Sequence, residues 1–196
     1  MSVAGRVCTG FSKPYVATYS ATGTTVTYSS GRLLARGVNV NLQPESSEDN
    51  NFYADNMVAE SSAGEFLGGT VEFEVDGLFK EVEDLIYGAP AADTNGWTGD
   101  GDANEVPYCG AGFIVRWMSE GVTSYQPVVL PKVKFALPEE ERATQEDEIE
   151  WQTTTISAAL MRDDTANHNW RYRGGSFSTE AAAENALKEF LGISTT

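Results

Sequence analysis

Three short stretches of this chain alternate between apolar and polar residues, and that period of two limits the fold more than any other feature. Val71, Phe73 and Val75 are interleaved with Glu72 and Glu74, Val38, Val40 and Leu42 with Asn39 and Asn41, and Val133, Phe135 and Leu137 with Lys132 and Lys134. Successive side chains of a strand point to opposite faces, so each stretch reads as a strand with one face in a core and one in water. Sheets of that kind are characteristically antiparallel.

The remaining pattern agrees. Strands are predicted over residues 14–20, 24–28, 33–42, 66–75, 108–118, 122–137 and 148–161, with a short one near 170–173. Thr22-Gly23 and Ser30-Gly31 read as turns, Ser119-Glu120-Gly121 as the loop of a hairpin, and Pro44 as the end of its strand. Pro127 and Pro131 mark an edge or a bulge. Two helices are expected. The first, over 78–87, is opened by Asp76-Gly77 and carries Leu78, Val82, Leu85 and Ile86 as one stripe before Gly88 and Pro90 stop it. The second, over 180–191, is capped by Ser178 or Thr179, buries Ala183, Leu187, Phe190 and Leu191, and ends at Gly192. The expected fold is mainly β, a sandwich or barrel-like core of antiparallel strands with two short helices. At 196 residues and 41% hydrophobic content the chain supports one such domain over 1–196, and not two large ones. Residues 45–65 read as a long polar loop with an apolar island, Phe52-Tyr53 and Met57-Val58, and 89–106 as a second loop rich in Gly, Asp and Asn. Loops of that length inside a domain are usually functional, and the aromatics favour an arm that touches a partner.

Charge removes several function classes. There are 29 acidic and 13 basic residues, a net charge of −16. Such a surface repels phosphate backbones and anionic membranes, so nucleic-acid binding through counterion release is disfavoured. The charge is also uneven: residues 1–44 hold Arg6, Lys13, Arg32 and Arg36 and no acid, so they carry +4 while the rest carries −20. That split reads either as a solvated surface or as a basic face able to meet the acidic face of another copy.

No residue set points to catalysis. His168 is the one histidine, flanked by Asn167 and Asn169 in a turn, with no nucleophile motif to serve. Cys8 and Cys109 have no metal-ligand spacing and read as free thiols of a reducing cytoplasm. Asp100, Asp102 and Asn104 open like a calcium loop, but Glu105 stands where glycine is needed and Ala111 where the bidentate Glu belongs. Trp97, Trp117, Trp151 and Trp170 are expected in core packing. No signal-peptide core or spanning helix is present in the sequence. No catalytic residue, metal or cofactor is assigned.

Several blocks in order carry a family likeness: KPYVATYS near the start, YADNMVAES over 53–61, FLGGTVEFEVDGL, VTSYQPVVLPKVKFALPEEE over 122–141, EIEWQTTTISAALMRDD over 148–164 and SFSTEAAAENALKEFLGI at the end. Together they resemble the major tail tube proteins of long-tailed, non-contractile bacteriophages over about residues 13–193. Residues 89–106 and Cys8 lie outside the likeness. The resemblance implies six copies in a ring, rings stacked into a tube, and DNA passing through the bore into the host. It implies the tape measure protein, the tail terminator and distal tail or baseplate proteins as partners, with no membrane. It places the chain in the virion tail after assembly in the bacterial cytoplasm. Phe52, Tyr53, Asp55, Asn56, Met57 and Val58 then correspond to the ring-stacking loop, whose removal over 46–64 should abolish tube growth in a domain that still folds. Glu72 and Glu74, or Glu148 and Glu150, are the candidates to line the lumen as a wall that repels DNA. The alternative is a carbohydrate-binding or adhesion module of a virion or cell surface.

Overall fold

The structure, a computed structural model, describes residues 5–48, 50–62, 64–102, 104–139, 143–144 and 151–194. Among these the strands are β1 (Val7–Thr22), β2 (Thr25–Leu33), β3 (Gly37–Ser46), β4 (Asn50–Ala54), β5 (Met57–Ser62), β6 (Phe66–Val75), β7 (Tyr108–Ser119), β8 (Val122–Phe135), β9 (Thr154–Met161) and β10 (Tyr172–Arg173). The helices are α1 (Lys80–Tyr87) and α2 (Glu180–Phe190). One antiparallel sheet runs in the order β2-β1-β7-β8-β9-β6-β3, with β10 alongside β8, while β4 and β5 pair only with each other. The mainly β antiparallel fold with two helices is the one the alternation predicts.

The long sheet curls around a core. Val16 of β1, Val71, Phe73 and Val75 of β6, Phe113 of β7, Leu130, Val133 and Phe135 of β8, and Ile156 and Leu160 of β9 meet in one buried cluster, joined by Val82 and Ile86 of α1. Phe113 meets Phe73 edge to face at 6.1 Å and Phe11 at 5.5 Å. Phe11 of β1 also fills the space where Gly37 of β3 lacks a side chain, so the end of the sheet returns towards β1.

The opposite faces of the central strands form a second core. Tyr15 and Ala17 of β1, Ile114 of β7 and Val129 of β8 lie under Ala183 and Leu187 of α2, with Leu191 at the helix end. Thr179 caps α2 by accepting from the Ala182 N–H at 3.3 Å. Burial on both faces explains why 109–114 and 128–130 are continuous apolar runs, without alternation. A Cβ at Gly112 would collide with Leu187, so that glycine sets how closely α2 can approach.

Several expectations need correction. The strand predicted over 33–42 is two strands: Leu34 and Ala35 turn into the core, and the Leu34 N–H donates to the Pro14 carbonyl at 2.7 Å. The outward drive of a straight strand loses here to burial of two apolar side chains. Pro44 does not end β3; it faces Gly69 on the outermost strand, where one missing N–H is tolerated. β2 continues through Ser30-Gly31, where a register shift against β1 absorbs the turn-like pair. Pro131 sits where β8 shifts register against β7, in a central strand, so it marks a bulge and not an edge. α1 starts at Lys80 with Phe79 as an N-cap whose side chain has no acceptor to offer, while the Asp76 carboxylate, expected to open the helix, is turned to Arg36. Leu137 lies beyond β8 and is 76% exposed, and Phe190 is only partly covered, leaning on Tyr28 and Tyr172. The last long strand begins at Thr154, not 148; residues 148–150 lie outside the described residues. Trp97 and Trp151 are exposed, whereas Trp170 stacks on Phe66 at 4.8 Å.

Both cysteines are free, Cys8 exposed and Cys109 buried, and burial pushes the Cys109 thiol up to about 12. The thiolate is the reactive form. A colorimetric thiol reagent at pH 8 should therefore titrate one thiol per native chain quickly and the second only on denaturation; two rapid equivalents would show that the core around Cys109 opens.

Candidate functional site

Within 45–65, where a loop was expected, β4 and β5 form a hairpin. The β3–β6 ladder ends at the pair Ser46–Phe66, and the Ser47 N–H then donates to the Glu65 carbonyl at 2.8 Å. Pairing resumes in β4 and β5, with Phe52 opposite Glu60, Tyr53 opposite Val58 and Ala54 opposite Met57. At the tip Asp55 and Asn56 have φ of 53° and 62°. Two consecutive left-handed residues make the two-residue turn whose twist matches a hairpin, and Asp and Asn accept that conformation more readily than other non-glycine residues. Asp55 and Asn56, assigned above to the contact surface, thus shape the tip that presents it.

The hairpin carries apolar side chains that no core of the described residues covers. Phe52, Tyr53, Met57 and Val58 are 51% to 71% exposed, and none belongs to either core. A lone two-stranded hairpin is marginal in water, and fully burying such a side chain is worth roughly 1.5–3 kcal/mol. Cross-strand pairing in the hairpin leaves all four of them largely in water.

Glu72 and Glu74 lie on the outer face of β6, each half-buried. Glu72 sits between Asn41 of β3 and Ser157 of β9, and Glu74 between Asn39 and Thr155. The Glu72 carboxylate accepts from Asn41 Nδ2 at 3.2 Å, and that of Glu74 from Thr153 Oγ1 at 2.7 Å. These two rows make a polar wall with carboxylates and no cation among the paired residues. Glu148 and Glu150 lie outside the described residues.

The basic N-terminal segment is partly used up inside the chain. Lys13 reaches Glu184 at 3.5 Å, Arg36 pairs with Asp76, and the Arg6 guanidinium lies 4.2 Å from the Trp117 ring centre. The partners respond. The hydrogen bond from Arg36 holds the Asp76 carboxyl below its ordinary value, and those from Lys132 and Tyr19 do so for Asp164. At Glu184 burial pushes upward, but hydrogen bonds from Tyr15 and Lys188 and the nearby Lys13 charge outweigh it, so this carboxyl is also lowered. A carboxyl lowered on folding adds stability that is complete above its unfolded value and is lost as pH falls through the folded one. With ordinary values of 3.8 and 4.5, the melting temperature should hold from neutral pH down to that range and drop below it. A melting temperature that rises on acidification to pH 3 would mean that relief of the net negative charge outweighs these pairs.

Catalytic geometry does not come together around the histidine. His168 is exposed at φ 49°, with Nδ1 3.2 Å from the Asp163 carbonyl oxygen. Asn104 closes on Asp100 at 3.0 Å as a local turn, and among the described residues no group of three or more His, Cys, Asp or Glu is arranged around a metal position. No helix of the described residues is long and apolar enough to cross a membrane. A shallow cleft of about 420 Å³ between β2 and α2 is lined by Tyr28, Asp163, Tyr172, Glu189 and Phe190 among others. Its polar groups are engaged internally: the Tyr28 hydroxyl donates to the Pro131 carbonyl at 3.1 Å and that of Tyr172 to Asp163 at 2.7 Å. Neither Trp97 nor Trp151 lines it.

Asp163 is the feature the sequence pattern does not reveal. It is the one buried charged residue among those described, at 2% exposure. One oxygen accepts from the Thr165 N–H, the Thr165 hydroxyl and the Asn169 N–H at 3.3, 2.7 and 2.8 Å, and the other from the Tyr172 hydroxyl. A single carboxylate therefore folds residues 163–172 into a fixed bend between β9 and β10. No protein-family model matches the chain, and no curated protein does.

Proposed function

We propose that this chain is a structural, self-assembling protein whose copies form rings, six to a ring by the family likeness, that stack into the tail tube of a long-tailed, non-contractile bacteriophage. The observation that carries the reading is the arm: a β-hairpin, anchored through β3 and β6, that holds Phe52, Tyr53, Met57 and Val58 out in solvent. An exposed apolar projection of this kind suits a neighbouring copy better than it suits a free monomer. Two further features support it. Among the described residues the sheet ends in β2 and β3 without a further strand, and a closed ring of copies would cover those ends. The polar wall of Glu72 and Glu74 suits a bore through which DNA slides without sticking, since like charge denies it the counterion release on which binding depends.

In this reading the tube is capped and measured by a tape measure protein, a tail terminator and distal tail or baseplate proteins, and it is built in the bacterial cytoplasm before taking its place in the virion. No reaction is assigned to it. The test is negative-stain electron microscopy of purified chain at rising concentration, with sedimentation in parallel. Rings or hollow tubes are the expected result. A chain that stays monomeric at every concentration and salt level would overturn the proposal.

A further inference from the structure

Against a net charge of −16, one surface of the molecule is basic and unpaired. Arg162 follows β9, and Arg171 and Arg173 flank and enter β10. The Arg162 guanidinium donates to the backbone carbonyl of Phe66, the Trp170 ring lies parallel to Phe66 at 4.8 Å, and the Arg171 guanidinium lies 4.5 Å from the centre of the Trp170 ring. Arg173 is close enough that its charge, after burial, helps pull Arg171 below its ordinary pKa. Among the described residues none of these three arginines pairs with a carboxylate, nor do Arg6, Arg32, Arg116 and Lys134, whereas Lys13, Arg36, Lys80, Lys132 and Lys188 do. In a chain with so many acids, three guanidiniums set around one aromatic stack without an acidic partner form a positive surface that a bound anion would complement.

The patch is also held still. Asp163 fixes the bend that leads into Trp170 and Tyr172, and the Gly174 N–H ties the segment after β10 to the Pro127 carbonyl at 2.8 Å. Phe66, the aromatic floor of the patch, is the first residue of β6, at the foot of the arm. The arm itself is the complementary object. Residues 45–65 contain six acids and no basic residue, and Asp55 and Glu60 accompany the exposed Phe52 and Tyr53. Carboxylates match guanidiniums, and aromatic rings match a surface of guanidinium and indole.

We infer that Arg162, Arg171 and Arg173, with the Trp170–Phe66 stack, form the socket that receives the acidic hairpin arm of a second copy of this chain. The inference rests on the self-assembly reading above and adds the receiving surface to it. An arm seated at the foot of another arm is a head-to-tail contact, and such a contact propagates along an axis when its rotation does not close.

A charge exchange tests it. One full-length variant carries Arg162→Glu, Arg171→Glu and Arg173→Glu; a second carries Asp55→Arg and Glu60→Arg in the arm. Circular dichroism and melting curves first confirm that both fold. Alone, the socket variant should need at least about tenfold more protein than wild type to form sedimentable assemblies. Mixed in equal amounts, the two should recover assemblies visible by electron microscopy, because reversed arms meet reversed sockets. If wild type assembles and the socket variant does so equally well, the socket is wrong and self-assembly stands. If wild type does not assemble, both fall. Failure of the mixture to rescue a defective socket variant would assign the arginines to another contact and overturn the inference. So would normal assembly coupled to loss of binding to a labelled DNA oligonucleotide, which would make the patch a nucleic-acid site.

Discussion

A chain in which residues 47–65 are replaced by Asn-Gly should fold normally and no longer form tubes. Ser46 and Phe66 are direct cross-strand partners, so a two-residue turn can join them without moving β3 or β6. Nothing removed belongs to either core, and the melting temperature should stay within a few degrees of wild type. What disappears is the exposed cluster of Phe52, Tyr53, Met57 and Val58 with its carboxylates. If each buried side chain contributes roughly 1.5–3 kcal/mol, losing four of them removes more than most subunit contacts can spare. Sedimentation and microscopy should show monomer, or isolated rings, at concentrations where wild type forms tubes. Tubes of normal length from this variant would show that the arm is not the stacking element.

Asp163→Ala should be the most damaging polar substitution in the molecule. It leaves the Thr165 N–H and hydroxyl, the Asn169 N–H and the Tyr172 hydroxyl without their acceptor in a buried place. Hydrogen bonds to charged groups are worth about 1.5–3 kcal/mol each, and orphaned donors add their own penalty, but local relaxation recovers part of the sum. A loss of about 3–4 kcal/mol in urea unfolding is the expected outcome. Asp163→Asn should cost less, because one oxygen still serves the three donors on its side. The conflict lies at Tyr172, whose hydroxyl already accepts from Asn169 Nδ2 at 2.9 Å and would then face a second donor. A loss below about 1 kcal/mol for the alanine variant would show that the bend holds without its carboxylate. If the bend is lost, Trp170 and Arg171 are displaced too, so this variant should also assemble poorly.

These two sites differ in how far the sequence reveals them. Alternation identifies β6 because Glu72 and Glu74 really do face water while Val71, Phe73 and Val75 face the core. The β7–β8 hairpin is legible from Glu120-Gly121, and both helices from their stripes and from Gly88 and Gly192. The break at Leu34-Ala35 is not legible, since a buried apolar pair reads the same in a strand or in a turn. The arm was visible as a segment but not as a hairpin, because its turn is Asp-Asn, without the glycine that usually signals a left-handed pair. The arginine socket escaped altogether. Its members at 66, 162 and 170–173 come together only through the β6–β9 pairing and the Asp163 bend, and neither leaves a local pattern. The same limit applies to the N-terminal charges: composition counts Lys13 and Arg36 as available, while Glu184 and Asp76 occupy them.

The uncovered hairpin also has a kinetic consequence. With no described residue of either core packed on it, the arm of a free chain is held by little more than its own ladder, and fixing each residue on docking costs about 1–2 kcal/mol of backbone entropy. The first two chains to meet must bear that cost for few contacts. A growing end offers every incoming chain several neighbours at once, and the same cost is then spread over many contacts. On the proposed assembly, spontaneous starts are rare and extension from an existing end is fast. A cell could then hold a concentrated pool of chains that waits, until a seed of the right shape commits it.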